Sequence, residues 1–330
     1  MEYRFLGRTG VRVSRLVLGT MAFGGAADEA ESRRIFERCR DAGINLFDCA
    51  DVYNEGRAEE LLGRFAAGCR DQVLLTSKAY FPTDRGPNDV GSSRFHLVRA
   101  VEASLRRLGT DRIDIFFLHR YDERTSIDES WRALDDLVRQ GKILYPAVSN
   151  FSAWQTMKAL ESAAVGRLAP PVCVQPMYNL VKRQAEVEIF PMAESEQLAV
   201  LPYSPLGGGL LSGKYGASRK PAKGRLVENK MYQVRYGDPS NFQIAERFSA
   251  LAAELDVHPA ALAIAWVATH PAVTAPILGA RSLEQLEPCL GALEIELDDA
   301  LRERISALAP TPPPATDRNE EASAHNYGSR

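Results

Sequence analysis

Short apolar runs alternate along the chain with longer stretches in which apolar residues recur every three or four positions. Each short run predicts a β-strand, and the eight runs are residues 16–18, 46–48, 74–76, 113–118, 143–148, 172–174, 199–201 and 275–278. The stretches between them predict amphipathic helices at residues 29–40, 94–108, 129–140, 152–162 and 242–255. The alternation indicates a chain built from repeated strand–helix units.

The spacing of the strands predicts how they assemble. Their starts are 30, 28, 39, 30, 29, 27 and 76 residues apart, and about 30 residues is the length of one βα unit with its return connection. Eight parallel strands can form an open doubly wound sheet or a closed barrel, and equal spacing without a central crossover favours closure. We therefore expect an α/β fold, a (β/α)8 TIM barrel, with an insertion in the last gap.

Segments outside the repeat complete this expectation. Residues 3–6 and 11–14 flank Gly7-Arg8-Thr9-Gly10, which predicts an N-terminal β-hairpin that closes one end of the barrel. Residues 212–235 predict a long loop before the last barrel units. Residues 1–309 are expected to form a single barrel domain, and the Pro-rich, polar tail of residues 310–330 is expected to be disordered.

Composition narrows the class of partner. The chain has 330 residues, of which 45% are apolar, and a formal net charge of −3, too close to neutral to indicate a nucleic-acid or anionic membrane partner. We expect a small-molecule ligand. The basic exception is the 212–235 segment, where seven Lys and Arg residues accompany one acid, Glu228.

Cysteine usage and the remaining apolar segments bear on location. The five cysteines contain no CxxC pair, which predicts reduced cytoplasmic thiols and no metal site. Residues 257–280 are uncharged but interrupted by three prolines, which predicts a buried helix, a turn and a strand rather than a membrane span. No secretory signal pattern is present at the N-terminus, so we expect a cytoplasmic protein.

Four polar side chains follow three neighbouring predicted strands: Asp48, Tyr53, Lys78 and His119. In a barrel the carboxyl ends of the strands carry the active site, so the four could converge. A Lys78 ammonium would lower the pKa of Tyr53 towards easy proton donation, Asp48 would hold the ammonium, and His119 could orient a carbonyl oxygen. None of them supplies a hydride, so this chemistry requires a cofactor.

Each of these residues also has a structural explanation. Asp48 could cap a helix, Tyr53 could pack in a turn, Lys78 could be a surface charge and His119 a hydrogen-bonded core residue. Two cofactor signatures are absent: no GxGxxG follows the first strand, and the near-match to a phosphate loop at residues 208–215 has Tyr215 in place of the required Ser or Thr. A dinucleotide would have to be held in another way.

Eight segments together carry a resemblance to a known family. They read LVLGTMAFGG, FDCADVYNEGRAEELLG, LLTSKAY, IDIFFLHRYD, AVSNF, VCVQPMYNL, PYSPLGGGLLSGKY and PILGARSLEQL. In order and spacing they resemble the aldo-keto reductase family over residues 3–309. The resemblance implies a (β/α)8 barrel that uses NADPH and the catalytic residues Asp48, Tyr53, Lys78 and His119, with Tyr53 as the general acid.

The same resemblance implies a cofactor site and a substrate pocket. Ser149, Asn150 and Gln175 should bind the nicotinamide carboxamide and Tyr203 should stack on its ring. The remaining cofactor positions implied are Gly19, Thr20, Ser204, Leu206, Gly208, Leu210, Lys214, Gly279, Arg281 and Gln285. The substrate positions implied are Met21, Phe23 and Tyr80, which suggests an apolar pocket without a charged anchor. No metal is implied.

The resemblance has departures and leaves two functions open. Pro146-Ala147 precedes the Ser-Asn pair where an aliphatic residue and glycine are usual, and Cys289 replaces a common adenine-contacting Asn. One function is NADPH-dependent carbonyl reduction; the alternative is a cofactor-sensing regulatory subunit resembling the potassium-channel β subunits of this family. The basic 212–235 segment is expected to close over the phosphates of the cofactor.

Overall fold

The computed structural model describes residues 1–323, and one sheet of eight parallel strands lies at its centre. The bounds of these strands are Val17–Gly19 (β3), Leu46–Asp48 (β4), Leu74–Ala79 (β5), Ile113–Leu118 (β6), Ile143–Ser149 (β7), Cys173–Gln175 (β8), Ala199–Val200 (β9) and Ile277–Leu278 (β10). They pair in the order β10-β3-β4-β5-β6-β7-β8-β9. All eight predicted strands are present within a few residues of their expected bounds.

Hydrogen bonds between the first and last members of this order close the sheet into a barrel. The Thr274 N–H donates to the Val200 carbonyl at 2.9 Å, and the Ile277 N–H donates to the Pro202 carbonyl at 2.9 Å. The segment before β10 therefore pairs with β9, and no edge of the sheet is left open there. The predicted (β/α)8 TIM barrel is confirmed.

The predicted N-terminal hairpin is also present. Strands β1 (Tyr3–Phe5) and β2 (Arg12–Ser14) pair antiparallel. Gly7 adopts a φ of +53°, and a Cβ there would lie 2.9 Å from the carbonyl oxygens of Gln197 and Val172. Because those residues precede β9 and β8, the hairpin turn packs against the amino-terminal end of the barrel, as expected.

Helices surround the barrel and bury a second layer of apolar side chains against it. They are α1 (Glu29–Asp41), α2 (Arg57–Ala66), α3 (Arg94–Leu108), α4 (Ile127–Arg139), α5 (Ala153–Gly166), α6 (Ile189–Ser195), α7 (Arg225–Glu228), α8 (Lys230–Tyr236), α9 (Pro239–Glu254), α10 (Pro259–Ala268), α11 (Leu283–Leu290) and α12 (Asp299–Ser306). Local sequence sets where several begin: Asp28 and Ser93 cap α1 and α3, and Ser152 forms a capping box with Gln155 at α5.

The 212–235 segment is not the continuous loop that the sequence predicts. It contains α7 and nearly all of α8. The Asn229 side chain accepts hydrogen bonds from the N–H groups of Met231 and Tyr232 and so starts α8, while Tyr232 and Tyr236 are buried. The many positive charges of this segment favoured the prediction of a loop. The helix α8 depends on the Asn229 cap and on burial of the Tyr232 and Tyr236 rings, which the charge pattern does not indicate.

Two further sequence predictions concern membrane spans and the tail. Within residues 1–323, no single helix is long and apolar enough to span a membrane, although α9 and α10 pass that test as a pair bent by 99°. The predicted helix, turn and strand of residues 257–280 are α10, a turn and β10. Of the predicted disordered tail, residues 310–320 are mostly exposed and residues 324–330 lie outside the described residues.

Candidate active site

A cleft of about 750 Å³ opens at the carboxyl ends of the barrel strands. Three of the four predicted catalytic residues line it: Asp48 ends β4, Tyr53 follows β4, and His119 follows β6. Lys78 in β5 is fully buried directly beneath them. The parallel register aligns these strand ends, which is why residues far apart in the sequence meet here.

A buried, hydrogen-bonded ion pair forms the base of the cleft. The Lys78 Nζ donates to Asp48 Oδ2 at 2.6 Å and to the Cys49 carbonyl at 2.7 Å. Asp48 Oδ1 accepts from Thr76 Oγ1 at 2.8 Å and from Gln175 Nε2 at 2.9 Å. We call Asp48, Thr76, Lys78 and Gln175 the floor cluster. Buried charges require this degree of pairing to offset their lost hydration.

Tyr53 is held over the floor cluster by an unusual turn. Its ring centroid lies 5.2 Å from Lys78 Nζ and 6.2 Å from the centroid of the His119 ring. Asn54 and Glu55 follow with φ values of 48° and 57°, a left-handed conformation that Asn tolerates better than most residues. The Asn54 side chain donates to the carbonyls of Met21 and Phe23 at 3.0 and 2.7 Å, which joins this turn to the β3 loop.

The electrostatics of Tyr53 differ from the sequence expectation. Burial, and then the nearby Asp48 carboxylate, raise the pKa of Tyr53 well above its usual value. The expected lowering by Lys78 is wrong for this arrangement, because Asp48 already pairs with the ammonium at 2.6 Å. The phenol therefore keeps its proton at neutral pH and remains a potential proton donor.

His119 is a neutral imidazole at physiological pH. Burial, together with the Lys78 charge, lowers the pKa of His119 to about 3. Its Nδ1 is buried without a hydrogen-bond partner among residues 1–323. A neutral ring of this kind can offer a single N–H to a ligand oxygen without carrying a charge.

Asp51 is a buried acid that the sequence reasoning did not single out. It lies in the loop between Asp48 and Tyr53, is 1% exposed, and neither carboxyl oxygen has a partner in the described part of the chain. Burial, and then the neighbouring Glu59 carboxylate, raise the pKa of Asp51 to about 8. Glu59 is itself neutralised by Arg107 at 2.6 Å. Asp51 is therefore mostly protonated at neutral pH.

The predicted nicotinamide-binding residues lie together beside His119 and the floor cluster, and several bond to one another. Tyr203 Oη donates to Asn150 Oδ1 at 2.7 Å, and Asn150 Nδ2 donates to the His119 carbonyl at 2.9 Å. Ser149 Oγ donates to the Gln175 carbonyl at 3.0 Å. Ser149, Asn150, Gln175 and Tyr203 all line the cleft, and the network fixes their orientation before any ligand binds.

A group of cations lines the rest of the cleft. They are Lys214, Lys223, Arg225, Arg235 and Arg281, which we call the cationic wall. None forms an ion pair with a carboxylate of residues 1–323. Only four of the seven basic residues of the 212–235 segment reach this wall, and Tyr232 orders two of them: the guanidinium carbons of Arg225 and Arg235 lie 5.5 Å from its ring centroid.

Arg281 lies beside the start of α11, where a carboxylate already occupies one donor. The Leu283 N–H donates to Glu31 Oε1 at 2.6 Å. The free N–H groups at the start of a helix can bind a phosphate. Glu31 takes part of that role, whereas the Arg281 guanidinium makes no ion pair with the nearby Glu284 in the described chain and faces the cleft.

The other predicted site residues divide between the cleft and the core. Gly19, Met21, Ser204, Leu206, Gly208, Lys214, Gly279, Arg281 and Gln285 line the cleft, as does Cys289. Thr20, Phe23 and Leu210 are buried in the core instead, and Tyr80 packs on Phe81 at 5.3 Å without lining the cleft. The direction of each side chain in these short loops depends on the local backbone turns. The hydrophobic periodicities of strands and helices do not describe such turns.

The structure adds lining residues that the sequence reasoning missed. Phe81 packs edge-on against His119 at 5.1 Å, and Arg120 follows His119 on the wall. Tyr232 packs so closely on Gly208, which has a φ of +69°, that a Cβ there would lie 2.6 Å from the ring. The HRYD run contained Arg120, but nothing in the sequence indicated which way its side chain would point.

These features fit a nicotinamide dinucleotide. Cations that pair with no carboxylate suit phosphates, and the amide and hydroxyl groups suit a carboxamide. Within residues 1–323, no group of three or more His, Cys, Asp or Glu residues is placed to hold a metal ion.

Comparison with known proteins agrees with the geometry. The profile of the Aldo/keto reductase family matches residues 15–310. The chain is 40% identical over 327 residues to the uncharacterized oxidoreductase YrpG of Bacillus subtilis, covering 94% of this chain and 97% of that protein. It is 36% identical to a probable voltage-gated potassium channel subunit beta from Oryza sativa (96% and 99% covered) and to one from Arabidopsis thaliana (89% and 92% covered).

Proposed function

The chain belongs to the aldo/keto reductase family, and we propose that it is an NADPH-dependent oxidoreductase that reduces an aldehyde or ketone to an alcohol. The catalytic residues in this proposal are Asp48, Tyr53, Lys78 and His119. The observation that carries it is the paired Asp48–Lys78 group directly beneath Tyr53 and His119, with Lys78 Nζ 5.2 Å from the Tyr53 ring.

Each side chain has a distinct task in this reaction. A reduced nicotinamide bound in the cleft supplies the hydride. Tyr53 donates a proton to the carbonyl oxygen as negative charge develops there, and the Lys78–Asp48 pair lies beneath the phenol ring, with Lys78 Nζ 5.2 Å from its centroid. His119, neutral because its pKa is about 3, donates a hydrogen bond that orients the same oxygen. Asp48 keeps the ammonium in position.

The remaining lining residues support the choice of cofactor. We assign the cationic wall to the phosphates of the dinucleotide, with Arg281 at the 2′-phosphate, because a guanidinium binds phosphate oxygens in a bidentate manner. Ser149, Asn150 and Gln175 are assigned to the carboxamide and Tyr203 to the face of the ring. Met21 and Phe81 supply apolar contacts for the substrate.

Replacing the proton donor tests the reaction. Tyr53→Phe keeps the ring and removes the hydroxyl, so we expect turnover of 4-nitrobenzaldehyde to fall by roughly 10²–10⁴-fold while NADPH affinity is little changed. Turnover is followed by NADPH absorbance and affinity by fluorescence titration. The matched control is Tyr121→Phe, since Tyr121 packs on Phe151 at 5.2 Å and does not line the cleft. A Tyr53→Phe enzyme that retains more than about a tenth of wild-type turnover rules out this general acid.

A regulatory role is the second candidate, because two plant relatives at 36% identity carry the name of a channel subunit. Such a protein would bind the cofactor but turn over slowly. A single-turnover experiment separates the two functions: mixing the NADPH complex with aldehyde gives one rapid oxidation followed by a slow steady state for a sensor, and a sustained rate for an enzyme.

The remaining expectations are part of this proposal. We propose that residues 1–309 form one catalytic domain and that the protein works in the cytoplasm. All five cysteines are unpaired and four of them are buried, which suits a reducing compartment.

A further inference from the structure

One cation in the cleft lies apart from the cationic wall. Arg120 lines the half of the cleft built by the loops after β3 to β8, where the other charged lining residue is Asp48. Asp48 is neutralised by Lys78 at 2.6 Å. Among the described residues that line this half, Arg120 therefore carries the uncompensated charge.

Apolar and polar side chains share the half of the cleft that Arg120 lines. Met21, Ala22, Val52 and Phe81 line the same half of the cleft. The apolar side chains offer contacts to an apolar ligand, and the Arg120 guanidinium offers a positive charge to an anionic group. A ligand that matches this compartment has an apolar body and one negative group.

The position of Arg120 is fixed although its side chain is exposed. The preceding residue, His119, donates its N–H to the Ala79 carbonyl at 3.0 Å and accepts from Asn150 Nδ2 at 2.9 Å. The Arg120 guanidinium carbon lies 5.8 Å from the centroid of the Tyr80 ring. The backbone is thus anchored at His119, the residue assigned to the substrate carbonyl. The Tyr80 ring supports the Arg120 guanidinium.

Nearby acidic side chains in residues 1–323 do not form an ion pair with Arg120. Asp122 accepts hydrogen bonds from the N–H of Ser92 at 2.8 Å and from Thr125 Oγ1 at 2.7 Å. No carboxylate in residues 1–323 forms an ion pair with Arg120. The guanidinium is available to a ligand next to His119.

We propose that Arg120 is a specificity residue that selects carbonyl substrates bearing a carboxylate on an apolar body. The inference rests on the proposed reductase function and defines its substrate class. It also replaces the sequence expectation of an apolar pocket without a charged anchor.

A matched substrate pair tests the proposal. With saturating NADPH, so that the cationic wall is engaged by its own ligand, 4-formylbenzoate and its methyl ester are compared in the wild type, Arg120→Gln and Arg124→Gln. We expect the wild type to prefer the carboxylate in kcat/KM by about tenfold or more and Arg120→Gln to lose that preference, chiefly through KM. Arg124 lies in the same loop, is exposed and does not line the cleft, so Arg124→Gln should keep the preference.

The outcomes separate this inference from the reductase function. A preference ratio that falls less than about threefold in Arg120→Gln, or equally in Arg124→Gln, overturns the role of Arg120. If the wild type reduces neither aldehyde, the reductase function fails. Calorimetric titration with 4-(hydroxymethyl)benzoate and its methyl ester then tests the anion site at Arg120 without turnover. Tighter binding of the carboxylate that depends on Arg120 supports the anion site; equal binding of both compounds overturns it.

Discussion

The floor cluster and the cationic wall both contain charged side chains, but only those of the floor cluster pair with an opposite charge inside the protein. In the floor cluster every charge meets an internal partner, and the Asp48 carboxylate alone takes part in three hydrogen bonds. On the cationic wall five cations meet no carboxylate in residues 1–323. The first arrangement fixes a geometry within the protein, whereas the second leaves charge available for a ligand.

This difference has energetic consequences. Breaking a buried pair leaves an ion without solvent or partner and costs about 3–5 kcal/mol. Lys214 and Lys223 on the cationic wall are exposed, and replacing such a side chain changes stability by about 0.5 kcal/mol or less. Substitutions in the floor cluster should therefore lower stability, and substitutions on the cationic wall should lower ligand affinity.

The largest expected effect comes from breaking the floor cluster. Lys78→Met leaves the Asp48 carboxylate buried and uncompensated, so the free energy of unfolding should fall by about 3–5 kcal/mol in denaturant titrations. Adding Asp48→Asn removes the orphaned charge and should restore part of the loss. Lys223→Met on the cationic wall is the matched control and should be nearly neutral. If Lys78→Met is as stable as that control, the pair does not hold the floor together.

The next effect concerns the cationic wall. Arg281→Ala should weaken NADPH binding by roughly tenfold to a hundredfold and leave NADH almost unchanged, because only NADPH has a 2′-phosphate for the guanidinium. Fluorescence titrations of both cofactors against both proteins measure this. Parallel losses for the two cofactors, or no loss, would remove Arg281 from the phosphate site. The free energy of unfolding should stay near that of the wild type.

The two regions also differ in how far the sequence predicts them. Asp48, Lys78 and His119 could be placed because they end strands whose spacing repeats, and parallel strands bring such ends to one face. The cationic wall could not be resolved in this way. A count of seven basic residues in the 212–235 segment did not distinguish Lys223, which lines the cleft, from Lys220, whose Nζ lies 5.0 Å from the Phe242 ring centroid.

The same limit applies to the predicted pocket residues. Met21 and Phe23 are two residues apart in one loop, and only Met21 lines the cleft, because the turns after β3 bury Phe23 against Phe65 at 6.0 Å. The direction of the Tyr53 pKa shift was also inaccessible. It depends on burial and on the 2.6 Å contact that already neutralises Lys78, and neither can be read from sequence order.

Asp51 tests the comparison between paired and unpaired charges, because it is a buried acid near the floor cluster and its carboxyl group has no hydrogen-bond partner in residues 1–323. Its folded pKa of about 8 exceeds the unfolded value near 4, so between these values the folded state binds more protons and stability falls as pH rises. The slope is at most about 1.4 kcal/mol per pH unit. Asp51→Asn should remove about 1 kcal/mol of the decrease between pH 6 and pH 7, measured by denaturant titration at each pH. Identical pH slopes in the two proteins would show that Asp51 ionises normally.

The smallest expected effect is a change in accessibility of the 212–235 segment. Trypsin cleaves after Lys and Arg, and bound NADPH should slow cleavage within this segment by a few fold, because Lys223 and Arg225 line the cleft and would pair with phosphate oxygens. Cleavage after Arg318, which is exposed outside the cleft, serves as the internal control and should not change. The protection should weaken as salt is added, since exposed charges are screened. If cleavage in the segment proceeds at the same rate with and without saturating NADPH, its charges form a solvated surface, and the contrast with the floor cluster reduces to one of burial alone.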